Sequence, residues 1–140
     1  MSNRYVYAVG RRKSTSVTIK LFPQGSGNFV IRHRDDETTV PLKNHFQGYH
    51  HLYLNAIAPL SILGDDALTR YDAEFVYHGG GISGLSDAIK LAFARALVNN
   101  DDQLKSTIKP QGFLTRDPRV KERKKFGYRK ARKGQKRSKR

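Results

Sequence analysis

The sequence predicts an α+β domain, a two-layer sandwich with helices on one face of a mostly antiparallel sheet, followed by an extended basic arm. Three observations carry this. Residues 5–9, 16–22, 29–34 and 70–78 alternate apolar and polar side chains with the period of a strand. Residues 44–63 and 85–98 instead repeat apolar side chains every three and four positions, the period of a helix. Residues 116–140 hold fourteen Lys or Arg against two acids, Asp117 and Glu122, and have no apolar stripe at all.

Taken in order, Val17, Ile19 and Leu21 face one way and Ser16, Thr18 and Lys20 the other, which makes a half-buried strand. Pro23-Gln24-Gly25-Ser26-Gly27-Asn28 supplies glycines for a connecting turn, so the first three runs read as hairpin-connected antiparallel strands. A second turn is expected at Asp35-Asp36, then a weak strand at residues 38–40 that Pro41 ends. Leu52, Ala56, Ile57, Leu60 and Leu63 define an amphipathic helix, with Pro59 expected to kink or split it and Gly64 to end it. In the next strand Tyr71, Ala73, Phe75 and Tyr77 share one face, opposite Asp72 and Glu74. Leu85, Ala88, Ile89, Ala92, Ala96 and Leu97 form the stripe of the strongest helix, with Asp87 expected in its first turn and Asn99-Asn100 as its stop. Asp101 resembles the N-cap of a short helix running to about residue 109, which Pro110 closes.

Charge divides the chain more sharply than periodicity does. The net charge is +15 over 140 residues, yet residues 1–115 contribute only +3 and residues 116–140 contribute +12. Residues 1–115 therefore read as one globular domain and residues 116–140 as an arm that repels itself until a polyanion neutralises it. With no cysteine there is neither a disulfide framework nor a thiolate metal site. The N-terminus lacks the long apolar segment of a secretion signal, and no apolar run reaches membrane-spanning length, so a soluble, cytoplasmic protein without a membrane partner is expected.

Two further segments bear on function. Gly79-Gly80-Gly81-Ile82-Ser83-Gly84 follows a predicted strand and opens a predicted helix, as a dinucleotide-binding turn would. The chain lacks the repeated parallel units of that fold, so a tight, closely packed strand-to-helix turn is the stronger reading, with backbone approach of Gly79, Gly80 and Gly81 to a nucleic-acid phosphate the alternative. Gly10-Arg11-Arg12-Lys13-Ser14-Thr15 puts three consecutive cations in a turn between strands, which suits phosphate contact by Arg11, Arg12 and Lys13 over a merely solvated turn. His45, His50 and His51 lack the spacing of a metal site. Ser83 has Leu85 where a nucleophile elbow needs glycine, and the acids fall in turn pairs (Asp35-Asp36, Asp65-Asp66, Asp101-Asp102). No active site assembles, so the expectation is a protein that is not an enzyme and takes no cofactor, metal or small-molecule substrate. In the arm, Phe126 and Tyr128 can stack on bases while cations hold phosphates, and Gly127 and Gly134 permit bends.

Gly10-Arg11-Arg12-Lys13-Ser14, the glycine turn followed by Ala94-Arg95-Ala96-Leu97, and the basic run from Leu114-Thr115-Arg116-Asp117 to Ser138-Lys139-Arg140 occur in one order along the chain. Together they resemble the small-subunit ribosomal protein nine family in its bacterial form. The resemblance implies a ribosomal S5 domain-two-like fold with a left-handed strand-helix-strand crossover, and a place in the head of the small subunit beside neighbouring ribosomal proteins. It also implies ribosomal RNA contact by Arg11, Arg12, Lys13, Arg116, Arg119, Lys121, Arg123, Lys124, Lys125, Tyr128, Arg129, Lys130, Arg132 and Lys133. Ser138, Lys139 and Arg140 would then touch peptidyl-site transfer RNA. Leu85 and Lys90 depart from the glutamine and arginine common in that family. The rival readings are a DNA-compacting or general nucleic-acid-binding protein with a disordered basic tail, and a nucleotide-dependent enzyme built on the glycine turn.

Overall fold

The structure, a computed structural model, describes residues 5–136. Five strands, β1 (Val6–Arg12), β2 (Thr15–Phe22), β3 (Phe29–His33), β4 (Val40–Pro41) and β5 (Asp72–His78), form one mixed sheet in the order β1-β2-β5-β3-β4. The helices are α1 (Leu42–His45), α2 (His50–Ser61), α3 (Asp65–Arg70), α4 (Ile82–Asn100) and, after a 3-10 turn at Asp102–Leu104, α5 (Lys105–Ile108). The fold class is α+β as expected. Three of the four strand pairings are antiparallel, and β3 with β5 is parallel.

That parallel pair corrects the expectation that β2 and β3 form a hairpin, because β5 lies between them. The segment after β2 does not turn back on β2. It is held against the start of β5, where the Asp72 carboxylate accepts from the Ser26 and Asn28 amides at 2.8 and 2.7 Å. The Gly25 amide donates to the Arg70 carbonyl at 2.9 Å, and a Cβ on Gly25 would collide with the Asp72 amide. Close approach of two backbones, more than turn flexibility, explains that glycine.

Alternation delivers the core. Val17, Ile19, Leu21, Ile31 and Phe75 are buried on one sheet face beneath Ala88, Ile89, Ala92, Phe93, Ala96 and Leu97 of α4, and Ala56, Ile57 and Leu60 of α2 complete it. Phe93 packs edge-on to Phe29 with ring centroids 5.6 Å apart and tilted against Phe75 at 5.4 Å, geometries that aromatic quadrupoles favour.

Several boundaries differ from the sequence reading. The segment expected to be one helix at 44–63 breaks at residues 46–49, not at Pro59, which sits buried near the end of α2. The proline forgoes the hydrogen bond its amide would have made to the Asn55 carbonyl, and α2 stops two residues further on. The Asp65-Asp66 pair opens α3 instead of marking a turn, and Gly64 precedes α3 at φ 98°. The strand at 38–40 shrinks to β4, which includes Pro41. Helix α4 starts at Ile82, so Asp87 lies in its second turn, and Asn99 and Asn100 extend the helix where a stop was expected. The Asp101 cap stands as read, its carboxylate accepting from the Gln103 amide at 3.0 Å.

Candidate nucleic-acid interface

The three separated sequence motifs meet at one end of the sheet. Arg12 and Thr15 pair across β1 and β2, leaving Lys13 and Ser14 as a two-residue turn. Lys13 has φ 51°, a left-handed conformation that normally favours glycine. A lysine held there presents an exposed cation at the tip at some cost in local strain, the kind of cost found where a side chain is needed. Arg11 is also exposed.

The glycine turn packs directly on this hairpin. Gly79 and Gly80 have φ 69° and 78°. A Cβ on Gly79 would come 2.9 Å from the Ser14 carbonyl oxygen, and one on Gly80 would strike the Thr15 hydroxyl. Their role in the fold is therefore the close packing read from sequence. Gly81 has open space where a Cβ would stand, and it immediately precedes the first turn of α4.

Gly10 completes the unit from beneath. It lies mid-strand in β1, and a Cβ there would collide with the Ala88 carbonyl and reach within 2.6 Å of the Ala92 amide nitrogen. Helix α4 can thus sit on the edge strand itself. Arg95 donates to the Val9 carbonyl at 2.7 Å and Asn99 to the Tyr7 carbonyl at 3.4 Å, covering a sheet edge that would otherwise be free to pair. This gives the Ala94-Arg95-Ala96-Leu97 motif a structural meaning.

The third motif is fastened to the first by Arg12. Its side chain is only 12% exposed, lying 3.4 Å from the Asp87 carboxylate and 3.0 Å from that of Asp117, and it donates to the Arg119 carbonyl at 2.6 Å. Of the three adjacent cations, Arg11 and Lys13 face solvent while Arg12 is engaged within the chain. Asp87 is itself held by Asn55 at 3.0 Å and approached by Lys90 at 3.7 Å, and Asn55 also donates to the buried Ser86 hydroxyl at 2.8 Å. Leu85 is buried and Lys90 hydrogen-bonds Asn55, so both family departures fall inside the fold. Between hairpin, helix and arm root lies a cavity of about 360 Å³ lined by Arg11, Arg12, Asp87, Lys90, Phe113 and Asp117.

Beyond this root, every Lys and Arg in residues 116–136 is exposed. Two acids absorb some of their charge. Asp117 is gripped by Arg119 at 2.7 Å, and that hydrogen bond, more than the nearby charges, holds its carboxyl well below the usual range. Glu122 is lowered by hydrogen bonds from Lys125 at 2.6 Å and Arg132 at 2.8 Å. Arg116, Lys121, Arg123, Lys124, Arg129, Lys130 and Lys133 pair with no acid among the described residues. Gly127 turns the chain at φ 77°, and Tyr128 bridges Gly134 to close a small loop, with the Arg129 amide on the Lys133 carbonyl at 2.7 Å. The turn leaves Phe126 fully exposed and Tyr128 half exposed. The transfer-RNA residues expected from the resemblance, Ser138, Lys139 and Arg140, lie outside the described residues.

Of the clustered histidines, His50 and His51 are exposed, and His45 packs edge-on to Tyr77 at 5.3 Å, where burial lowers its pKa. Sequence reasoning missed Asp87 and Asp117 as anchors of the arm, since charge pairs this remote carry no local spacing signal.

Fold and surface together define a class, a small α+β fold whose exposed surface over residues 116–136 is strongly cationic. The comparisons make this specific. Residues 10–140 match the family model described as ribosomal protein S9/S16, and the chain belongs to that family. It is 41% identical to the small ribosomal subunit protein uS9c of Pyropia yezoensis, over all of this chain and 96% of that protein. It is equally 41% identical to uS9c of Emiliania huxleyi, over the full length of both.

Proposed function

We propose that this protein is a structural constituent of the small ribosomal subunit whose domain docks on ribosomal RNA of the head and whose arm, residues 116–140, threads among RNA segments. The observation that carries this is the convergence of Lys13, the open Gly81 end of α4 and the fastened arm root at one end of the molecule, in a chain of the S9 family. Arg11 and Lys13 contact phosphate directly, and Arg12 contributes by fixing where the arm leaves the domain. The unpaired arm cations neutralise phosphates, and Phe126 and Tyr128 stack on exposed bases or pack on sugars. The β3–β5 parallel pair, separated by β4 and α1 to α3, is the unit to which we assign the left-handed crossover of an S5 domain-two-like fold.

Lys139 and Arg140, with Ser138, reach the backbone of peptidyl-site transfer RNA in this reading. Removing residues 138–140 is expected to leave the protein co-sedimenting with small subunits while weakening peptidyl-site binding. Each lost phosphate contact should also reduce the steepness of the salt dependence by about 1. Unchanged transfer-RNA affinity and salt slope in subunits carrying the truncated protein would overturn the peptidyl-site assignment.

A further inference from the structure

The opposite surface logic holds where β3 and β5 end. These parallel neighbours finish side by side, with His33 in register with Tyr77 and His78 the next residue. After β3 the chain turns sharply, the Arg34 amide donating to the Tyr77 carbonyl at 2.9 Å and the Asp36 amide to the His33 carbonyl at 3.2 Å. This brings one donor atom each from His33, Asp35 and His78 to within 4.8 Å of one another. Among the described residues it is the one such cluster of three potential metal ligands.

The cluster has features of a ligand set. The His33 ring is wedged against Tyr77, centroids 5.0 Å apart, which fixes its orientation. Its Nδ1 accepts from the Asp35 amide at 3.3 Å, a long bond that a metal ion at Nδ1 would replace, and lies 3.6 Å from the Asp35 carboxylate. Asp35 and His78 are exposed, and rotation of their side chains can draw the donors to bonding distance. Asp35-Asp36-Glu37 is also the only run of three acids in a chain of net charge +15. A phosphate would be repelled by that run, whereas a divalent cation would be attracted.

We infer that His33, Asp35 and His78 bind a divalent transition-metal ion of the zinc class, with water completing its coordination. Two imidazoles and one carboxylate suit such an ion, whereas magnesium and calcium prefer oxygen ligands alone. The inference stands apart from the RNA-binding reading and departs from the sequence expectation of no metal. That expectation weighed only His45, His50 and His51, because nothing local joins His33 to His78.

The test is calorimetric titration of the metal-free full-length protein with Zn²⁺, with Co²⁺ absorption reporting coordination. One equivalent of Zn²⁺ should bind, His78→Ala and Asp35→Asn should each weaken binding by about 10-fold or more, and His50→Ala with His51→Ala should leave it unchanged. Both ligand variants alter exposed side chains, and circular dichroism checks that they stay folded. Absence of saturable Zn²⁺ binding, or full affinity in a His33→Ala, His78→Ala double variant, would overturn the assignment.

Discussion

Gly10 shows how much a single residue decides here. In sequence it reads as the start of a basic turn, but it sits mid-strand, where only a missing side chain lets α4 lie on β1. Gly10→Ala must push Ala88 and Ala92 away, an overpacking expected to cost about 1–3 kcal/mol. Chemical denaturation measures this, and a change under ~0.3 kcal/mol would show that helix and strand are not in the contact described. Lys13 makes the converse point, being where glycine would be easier and a cation is present. Sequence marked both positions as part of one motif. It could not divide the motif into a packing residue, an engaged Arg12 and two exposed cations, because that division depends on α4 and the arm, which are remote in the chain.

Among elements, alternation and helical spacing made β1, β2, β3, β5 and α4 legible, since each owes its form to a local pattern of buried side chains, and the Asp101 cap with Pro110 marked the short helical segment that holds α5. The partner order was not legible. Residues 23–28 look like a hairpin loop by composition, and only Asp72, far along the chain, reveals that they join the start of β5. The arm root is similar, because Asp117 looks like a stray acid in a basic run until Arg12 reaches it. As the Asp117 carboxyl is held below its usual range, its contacts are complete at neutral pH and are lost only as the pH falls well below the ordinary carboxylate pKa of about 4. The chain has no cysteine, so two labels on introduced cysteines, one at Val120 and one on α4 at Asn100, report the distance without interference. Asp117→Asn should broaden that distance distribution at neutral pH, and the parent should broaden only in strong acid. An identical distribution in the variant would show that the arm root is held by something else.

For the whole molecule, residues 1–115 are nearly balanced in charge and residues 116–140 carry +12, and the Arg12–Asp117 contact ties the start of that basic stretch beside the exposed turn cations. A purely electrostatic tail would act alike with its residues in any order, whereas this arm places Gly127 in a turn and pairs Glu122 with Lys125 and Arg132. The ribosomal RNA binding proposed for it should fall steeply with salt, with a logarithmic slope of about −0.7 to −0.9 per phosphate neutralised. The most direct test is the affinity for small-subunit ribosomal RNA, and for a plain DNA duplex, of the native protein against one whose residues 116–140 are scrambled at constant composition. The native order should bind the ribosomal RNA more tightly and lose that advantage on the duplex, whereas equal affinity of the two proteins for ribosomal RNA would contradict the account.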